Sequence, residues 1–397
     1  MMNYEKSYEI LKSKLEEKGI DIRKVEEKLK SFKVETPSWG YGDSGTRFAV
    51  FKQKGSARNV KEKIQDSAIV HKLTGICPTV ALHIPWDMYD DWDELLNYCK
   101  SLGVRPGAIN PNLFQEDDYK LGSLCHPEKR VREKAIKHIL ECIEIAKKLG
   151  SRDISLWLAD GTNHPGQDDF RRRKKRLEES LEEVYKHLTA DMRLLIEYKF
   201  FEPAFYHTDI PDWGTAFMLC NKLGERAYVL IDLGHHPLGT NIEQIVAILL
   251  DEGKLGGFHF NNKKYADDDL TTGSINPYEL FLIFNELVSA EEDGLKVDIA
   301  YMIDESHNLK PKIEEMIQSV ENIYKTYAKA LIIDRKMLRK YQEEQDIVMA
   351  ENVLISAFDT DVMPLIYKVR EEMGVPLDPL KAFRESGYME KIIKERS

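Results

Sequence analysis

Cysteine is scarce in this chain and forms no recognisable pattern. Five cysteines occur among 397 residues, at positions 77, 99, 125, 142 and 220, and no pair has the CxxC spacing. An odd number of cysteines without that spacing argues against a disulfide framework and against a cysteine zinc site. We therefore expect free thiols in a reducing compartment.

Long apolar runs are also missing. No uninterrupted apolar stretch approaches the ~20 residues that a membrane-spanning helix needs. Residues 1–23 are charged and lack the apolar core of a signal peptide. These features predict a cytoplasmic protein without a membrane partner.

Positive charge is in deficit, since 57 Lys and Arg residues face 68 Asp and Glu residues, for a net charge of −11. Such a balance disfavours nucleic acids and anionic membranes as partners and suits a cationic ligand. The one basic run, RRRKK at 171–175, is interpreted as the solvated face of a helix. With 42% apolar residues, the chain can still bury a sizeable core.

What the sequence does contain is a repeated alternation of short apolar strands with amphipathic helical stretches. The candidate strands are Val34–Trp39, Thr79–His83, Val104–Asn110, Asp153–Leu158, Arg193–Glu197, Tyr228–Asp232, Gly257–Phe260 and Asp298–Ile303. The helical stretches between them are 58–73, 90–101, 127–149, 168–189, 212–223, 241–252 and 276–289. Eight such units predict an α/β fold, a closed (β/α)₈ TIM barrel, with a C-terminal α-helical extension. An open doubly wound sheet is the alternative, but no GxGxxG turn follows the first strand.

Three segments follow from this pattern. Residues 1–33 form N-terminal helices, residues 34–310 form the barrel, and residues 311–397 form a helical extension. We expect the extension to pack on the outside of the barrel or on a neighbouring subunit.

Polar side chains end four successive predicted strands. They are Glu197, Asp232, His259 and Asp304. In a closed barrel these ends meet at the C-terminal face, where barrel enzymes place their active sites. Three carboxylates cannot all stay charged in one desolvated site unless a cation offsets their repulsion. The mixed oxygen and nitrogen donors suit Mn²⁺, Mg²⁺, Co²⁺ or Zn²⁺.

A second metal site is predicted beside the first. Asp232 and His235 are three residues apart, and Asp267 and Asp269 point to the same side of an extended loop. With Asp232 as a bridge, these side chains could hold a second ion near the first. A single carboxylate at a strand end is more often a helix cap, so the prediction depends on the joint pattern.

Several longer segments resemble a known family. They are SWGYGDSGTRF (38–48), SLWLADGTNHPGQ (155–167), IEYKFFEPAFYHTDIPDWG (196–214), DLGHHPLGTNIEQIVA (232–247), HFNNKKYADDDLTTGSI (259–275) and MIDESHN (302–308). They resemble L-rhamnose isomerase, in particular its broad-specificity bacterial form, which belongs with xylose isomerase in one barrel superfamily. The resemblance runs from about residue 34 to residue 310.

This resemblance implies roles for individual residues. Glu197, Asp232, His259 and Asp304 match a structural metal site, and Asp232, His235, Asp267 and Asp269 match a catalytic one. Lys199 matches the residue that binds O1 of the substrate. Lys199, Asp304 and His235 are the expected catalytic residues, and we expect Asp304 or a metal-bound water to move the proton between O1 and O2. The implied substrate contacts are Trp39, His83, Phe114, Trp157, Lys199, Asp267 and Phe48, the last reaching into a neighbouring subunit's pocket.

The implied activity is the interconversion of L-rhamnose and L-rhamnulose, and of D-allose and D-psicose. The predicted pair of metal ions suggests a metal-assisted hydride shift as its route. Two divalent ions, Mn²⁺ by resemblance, and a homotetramer are further implications. A cis-enediol route remains the alternative mechanism.

Three other functions stay open at this point. A metal-dependent ketose 3-epimerase of the same superfamily needs two opposed glutamates, whereas Glu197 is the only glutamate that ends a predicted strand. A metal-dependent phosphoesterase needs a basic groove, which the net charge of −11 disfavours. A sugar-binding barrel without activity is the third, and the complete set of ligand residues argues against it.

Overall fold

Parallel strands close into a barrel at the centre of the molecule. The computed structural model describes residues 4–47, 49–265, 268–306 and 309–397. The strands in these ranges are β1 (Glu35–Pro37), β2 (Thr79–Ile84), β3 (Arg105–Pro111), β4 (Asp153–Leu156), β5 (Arg193–Glu197), β6 (Phe201–Glu202), β7 (Tyr206–His207), β8 (Ala227–Asp232), β9 (Leu255–Phe260) and β10 (Ala300–Ile303). The ring runs β1-β2-β3-β4-β5-β8-β9-β10 with parallel neighbours, while β6 and β7 form a separate antiparallel hairpin. The predicted TIM barrel is confirmed.

Helices surround the barrel and extend beyond it. They are α1 (Tyr4–Glu17), α2 (Ile22–Ser31), α3 (Val60–Thr74), α4 (Trp92–Ser101), α5 (Lys129–Leu149), α6 (Phe170–Lys186), α7 (Trp213–Leu223), α8 (Ile242–Asp251), α9 (Pro277–Glu292), α10 (Lys312–Leu331), α11 (Arg335–Glu343), α12 (Ile347–Asp359), α13 (Met363–Met373), α14 (Pro379–Glu385) and α15 (Tyr388–Arg396). Short 3₁₀ helices cover Ser38–Tyr41 and Asp117–Leu121. Within the described ranges, none of these helices is both long and apolar enough to cross a bilayer.

Side-chain caps define where most helices of the outer ring begin. An Asp or Asn oxygen accepts a hydrogen bond from a backbone N–H of the first turn and so satisfies a donor that the helix leaves unpaired. The caps at the barrel helices are Asn59, Asp91, Asp169, Asp212, Asn241 and Asn276.

Some predicted strand limits are wrong. Strand β1 ends at Pro37 and not at Trp39, because the chain turns into the 3₁₀ helix Ser38–Tyr41. Strand β4 ends at Leu156, which leaves Trp157 in the following loop. Strand β10 begins at Ala300 and not at Asp298, whose carboxylate pairs with Arg152 and whose carbonyl accepts from Arg193.

Helix α10 completes the outer ring. It follows β10 and packs against α9 on one side and α3 on the other. The helices α12, α13 and α14 pack in turn on α10. The division at residue 310 remains a prediction, and the packing shows that α10 itself lies in the layer that encloses the barrel.

Strand register brings the functional strand ends to one level. Asp232 of β8 lies opposite His259 of β9, and Ile303, directly before Asp304, lies opposite Phe260. A separate cluster of buried apolar side chains lies inside the barrel. They are Trp39, Ala81, Ala108, Leu195, Leu230 and Met302. All five cysteines are free and buried, which confirms the expectation of unpaired thiols.

Candidate metal centre and substrate pocket

The C-terminal ends of the barrel strands bring four metal-ligand side chains together. They are Glu197, Asp232, His259 and Asp304, and one ligand atom from each lies within 4.8 Å of all the others. Glu197 and Asp232 are the last residues of β5 and β8, His259 lies in β9, and Asp304 follows β10. These residues are those that the strand-end pattern selected.

Contacts inside the cluster are close but lack hydrogen-bond geometry. Oε2 of Glu197 lies 3.1 Å from Nδ1 of His259, and Oδ2 of Asp304 lies 3.4 Å from the same nitrogen. Among the described residues, Nδ1 of His259 and Oε1 of Glu197 have no hydrogen-bond partner although both are buried. Buried polar atoms normally have a hydrogen-bond partner. Carboxylate and imidazole atoms that face one another without hydrogen bonds are therefore suited to share a bound cation.

The charges of the cluster also fit a cation. Burial raises the pKa of Asp232 to about 7 and raises the pKa of Asp304. Burial also opposes charge on Glu197 and His259, but their mutual attraction prevails. The attraction between the two groups lowers the pKa of Glu197 to about 2 and raises the pKa of His259 to about 9. A divalent ion would stabilise all three carboxylates in their charged form.

Neighbouring groups orient the carboxylates. Nδ2 of Asn261 donates to both oxygens of Asp232, at 3.0 and 2.9 Å, and the N–H of Gly234 donates to Oδ1 at 2.7 Å. Nε1 of Trp39 donates to Oδ1 of Asp304 at 2.8 Å. Such outer contacts fix the direction in which ligand atoms point. Trp39, predicted as a pocket aromatic, therefore also positions Asp304.

Part of the second predicted metal set lies beside the first. Nε2 of His235 is 3.9 Å from Oδ1 of Asp232, and its Nδ1 is 3.1 Å from Oε1 of Glu197. Asp269 lines a cavity that opens above these ligands and has a left-handed backbone, with φ of 44°. Asp267 lies outside the described residues, so the second site stays a prediction.

A cavity of about 310 Å³ opens above the cluster. Glu197, His259 and Asp304 are among the residues that line it. Its aromatic wall consists of Trp39, His83, Trp86, Phe114 and Trp157. These rings contact one another, for example His83 and Trp86 at 4.1 Å between ring centres and Phe114 and Trp157 at 4.9 Å. A polar floor with an aromatic wall suits a sugar, since its C–H faces pack on rings while its hydroxyls bind polar groups.

The predicted substrate contacts are mostly in this wall. Trp39, His83, Phe114 and Trp157 all line the cavity. Burial lowers the pKa of His83 to about 3, which keeps the imidazole neutral at physiological pH. Phe48, the aromatic predicted to reach a neighbouring subunit, lies outside the described residues.

Lys199 is buried beside Trp157. Its Nζ lies 5.0 Å from the centre of the Trp157 ring and 2.8 Å from Oε2 of Glu202. Both side chains of this ion pair are only 2% exposed. Glu202 belongs to the β6–β7 hairpin, which the sequence patterns did not predict.

Three neighbours of the site were missed in the sequence. Glu202 follows Lys199 by three residues, Trp86 follows His83 by three, and Asn261 follows His259 by two. The available sequence signal for each of these residues is its short distance along the chain from a predicted site residue. Such spacing alone does not distinguish a partner of the site from an unrelated loop residue.

A second group of ligand-type residues consists of Cys125, Asp160 and Asp209. Here a cation is already present, because Nε of Arg173 donates to both oxygens of Asp209, at 2.8 and 2.9 Å. Arg173 is 2% exposed, so the interpretation of the run 171–175 as wholly solvated is wrong at this residue. The group is best described as a buried ion-pair network.

Comparison with known proteins agrees with this architecture. Residues 74–296, more than half of the chain, match the family model described as xylose isomerase-like TIM barrel. A probable sugar isomerase of Rhizobium meliloti (strain 1021) is 46% identical over 98% of this chain and 92% of its own length. A probable sugar isomerase of Mesorhizobium japonicum is 44% identical over 99% of this chain and 92% of its own length.

Among solved structures, an L-ribulose 3-epimerase aligns with 79% of this chain and 98% of its own, with a TM-score of 0.53. At 15% identity this likeness concerns the fold alone. The family match, together with relatives that are similar over nearly their whole length, shows that the chain belongs to the xylose isomerase-like TIM-barrel family.

Proposed function

We propose that this chain is a metal-dependent aldose–ketose isomerase that interconverts L-rhamnose and L-rhamnulose and also D-allose and D-psicose. The observation that carries the proposal is the cluster of Glu197, Asp232, His259 and Asp304 at an aromatic-walled cavity. The relatives named as probable sugar isomerases support the reaction class. The choice of L-rhamnose is supported by the resemblance of the sequence segments.

The protein would hold two divalent ions, and Mn²⁺ is the expected metal. The four clustered ligands would bind one ion, and Asp232, His235, Asp267 and Asp269 would bind the other. When bound, such ions polarise adjacent oxygens of an open-chain sugar and stabilise negative charge on them. Co²⁺, Mg²⁺ and Zn²⁺ suit the same donors.

The chain's own residues hold the sugar and move its protons. The aromatic wall packs on the C–H faces of the sugar and excludes water from C1 and C2. Asp304 is suited to transfer a proton between O1 and O2, because its side chain is 24% exposed whereas that of Glu197 is 2% exposed. Lys199, aligned by Glu202, stabilises the charge that develops at O1. His235 completes the proposed catalytic group beside Asp232.

The test is a product assay on metal-free protein reconstituted with each divalent ion, using a panel of aldoses. Asp232→Asn removes the residue shared by both proposed metal sites. It should abolish turnover and lower the metal content. Asp298→Asn is the matched control, because Asp298 is an exposed partner of Arg152 at the other end of the barrel. Normal turnover by Asp232→Asn, or by chelated protein, would refute the proposal.

Two further assays separate the alternatives. A ketose panel that includes D-fructose detects 3-epimerisation, and an epimer formed without any aldose would favour that activity. A C2-deuterated aldose in ordinary water distinguishes the two isomerase routes. Label kept at C1 supports the hydride shift, and loss of label supports the enediol. The expected homotetramer is checked by analytical ultracentrifugation.

A further inference from the structure

His235 follows strand β8 by three residues and lies beside the candidate metal cluster. Its Nδ1 donates to the carbonyl of Tyr198 at 3.2 Å, and Oε1 of Glu197 lies 3.1 Å from the same nitrogen. Both oxygens are acceptors, so Nδ1 carries the proton of the neutral ring and Nε2 has the lone pair. A histidine that binds a metal through one nitrogen commonly gives its other N–H to a carbonyl or a carboxylate. The ring of His235 is therefore held as a ligand that binds through Nε2.

Tyr198 also contacts the next residue of the same loop, through its side chain. A hydrogen bond of 2.6 Å joins the hydroxyl of Tyr198 to Nε2 of His236, and the two rings meet edge to face with 5.2 Å between their centres. Tyr198 is 1% exposed and His236 is 3% exposed. The residue that follows β5 thus holds two successive residues after β8, His235 by its carbonyl and His236 by its hydroxyl.

The first candidate metal site depends on strands and not on this contact. Glu197 and Asp232 are the last residues of β5 and β8, and His259 lies in β9. Pairing with neighbouring strands of the barrel fixes these backbone positions. His235 lies beyond the last residue of its strand, so the direction of its ring depends on the loop after β8 and on the contact of that loop with the end of β5.

We propose that Tyr198 and His236 are positioning residues for the second metal ion. Their hydrogen bond fixes the loop after β8 against the end of β5, and thereby fixes the direction in which Nε2 of His235 points. The inference rests on the proposed function, which assigns His235 to that ion. Loss of the hydrogen bond should weaken the binding of the second ion and leave the binding of the first unchanged.

Single and double variants separate positioning from stability. Tyr198→Phe removes the hydroxyl and keeps the ring and the carbonyl, but the buried imidazole of His236 then loses its partner. An unpaired buried polar group destabilises a protein, whereas replacement of both partners by apolar groups of similar shape is nearly neutral. Tyr198→Phe combined with His236→Leu should therefore have a Tm close to that of the parent and still lack the hydrogen bond. His236→Gln keeps a hydrogen-bonding group for Tyr198 and should resemble the parent.

Tyr324→Phe is the matched control. Tyr324 is also 1% exposed, and its hydroxyl donates to the carbonyl of Leu29 at 3.1 Å. Tyr324 and Leu29 belong to helices α10 and α2, outside the cavity lining. The control therefore removes a buried hydroxyl and its hydrogen bond without a change at the site. His235→Ala removes the proposed ligand itself and identifies the binding step of the second ion.

Isothermal titration calorimetry of the metal-free full chain with Mn²⁺ measures the binding steps, and differential scanning calorimetry measures Tm. We expect Tyr198→Phe and the double variant to raise the Kd of the second ion about tenfold or more, as for other groups that orient a metal ligand. The Kd of the first ion should not change, and excess Mn²⁺ should restore turnover. In the His235→Ala background, Tyr198→Phe should have no further effect on Mn²⁺ binding, because the ring that it positions is absent.

Three results would overturn the positioning role. The first is an unchanged Kd of the second ion in the double variant. The second is equal weakening of both ions, or a Kd that follows Tm and returns to the parent value in the double variant, since the pair would then serve only the stability of the fold. The third is further weakening in the His235→Ala background, which would mean that the pair acts through another group.

The proposed function can fail separately. A parent protein that binds fewer than two Mn²⁺ ions would refute the two-metal part of that function, and the positioning role with it. A parent that binds two ions but converts no aldose would refute the proposed reaction, whereas the expected Kd values in the variants would still support the positioning role.

Discussion

Nζ of Lys199 lies 2.8 Å from Oε2 of Glu202, and each of the two side chains is 2% exposed. The hydroxyl of Thr208 donates to the carbonyl of Lys199, and the amide of Lys199 donates to the carbonyl of Ile210. The hairpin, together with Thr208 and Ile210 directly after it, thus holds both the backbone and the ammonium group of the residue proposed to face O1 of the sugar. Removal of one partner of a buried pair is costly because the remaining charge stays desolvated.

We expect Glu202→Gln to lower kcat at least about tenfold, because the amide keeps the shape but loses a charge-assisted hydrogen bond of about 2 kcal/mol. Steady-state kinetics and metal analysis check this prediction. Glu179→Gln is the control, since Glu179 is an exposed residue 3.8 Å from Lys175. Equal kcat values for the two variants would show that Glu202 does not act on the reaction.

Metal removal should destabilise the protein. A ligand that binds only the folded state at 100 times its Kd adds about 2.7 kcal/mol, which for a chain of 397 residues predicts a fall in Tm of about 3 °C after chelation. Asp304→Asn should reduce this effect, because it removes one of the four clustered ligands. Differential scanning calorimetry with and without a chelator measures it, and Asp298→Asn should behave as the parent. A Tm that does not respond to chelation in the parent would argue against a metal centre.

Stability should also depend on Glu35 at the other end of the barrel. Burial raises the pKa of Glu35 from 4.5 to about 7, although its Oε1 accepts from the N–H of Ala108 at 2.9 Å. Between pH 4.5 and 7 the folded state therefore holds a proton that the unfolded state has released, and stability falls as pH rises through this window. The loss is at most about 3 kcal/mol, at 1.36 kcal/mol for each pKa unit.

Glu35→Gln cannot lose this proton and should flatten the fall. Thermal unfolding at pH 5 and at pH 8 is the measurement, with the parent losing more Tm than the variant between the two values. An equal loss in both proteins would place the pH dependence at other groups.

Gly107 leaves the space that the Glu35 carboxyl group occupies. A Cβ atom at residue 107 would lie 1.6 Å from Oε2 of Glu35, so Gly107→Ala forces the carboxyl group or the strand to move. We expect a loss of about 1–3 kcal/mol, as for other overpacked interiors. In a Glu35→Ala background the same change should cost much less, which a double-mutant cycle by denaturant unfolding measures. Additive effects would mean that the two residues do not compete for space.

The sequence by itself determined the barrel and the residues at its mouth. Parallel βαβ units leave few arrangements, and strand ends in a closed barrel must meet at one face. That is why Glu197, Asp232, His259 and Asp304 could be grouped without any coordinates, and why the helical start of the chain was expected. The wall residues Trp39 and Trp157 were predicted from the family resemblance alone, because the periodicity of the sequence gave no reason to place them at the cavity.

Only the tertiary structure decided which groups surround these residues. The strands of the β6–β7 hairpin are two residues long, too short for a periodic signal, so the pair of Lys199 and Glu202 stayed hidden. No sequence pattern distinguishes Gln115, yet its amide binds the carbonyl groups of Gly45 and Thr46 and the indole N–H of Trp86. Packing likewise placed α10 in the outer ring. Local patterns report the face that a residue presents to the core, but contacts between loops far apart in the chain depend on how the closed barrel brings strand ends together.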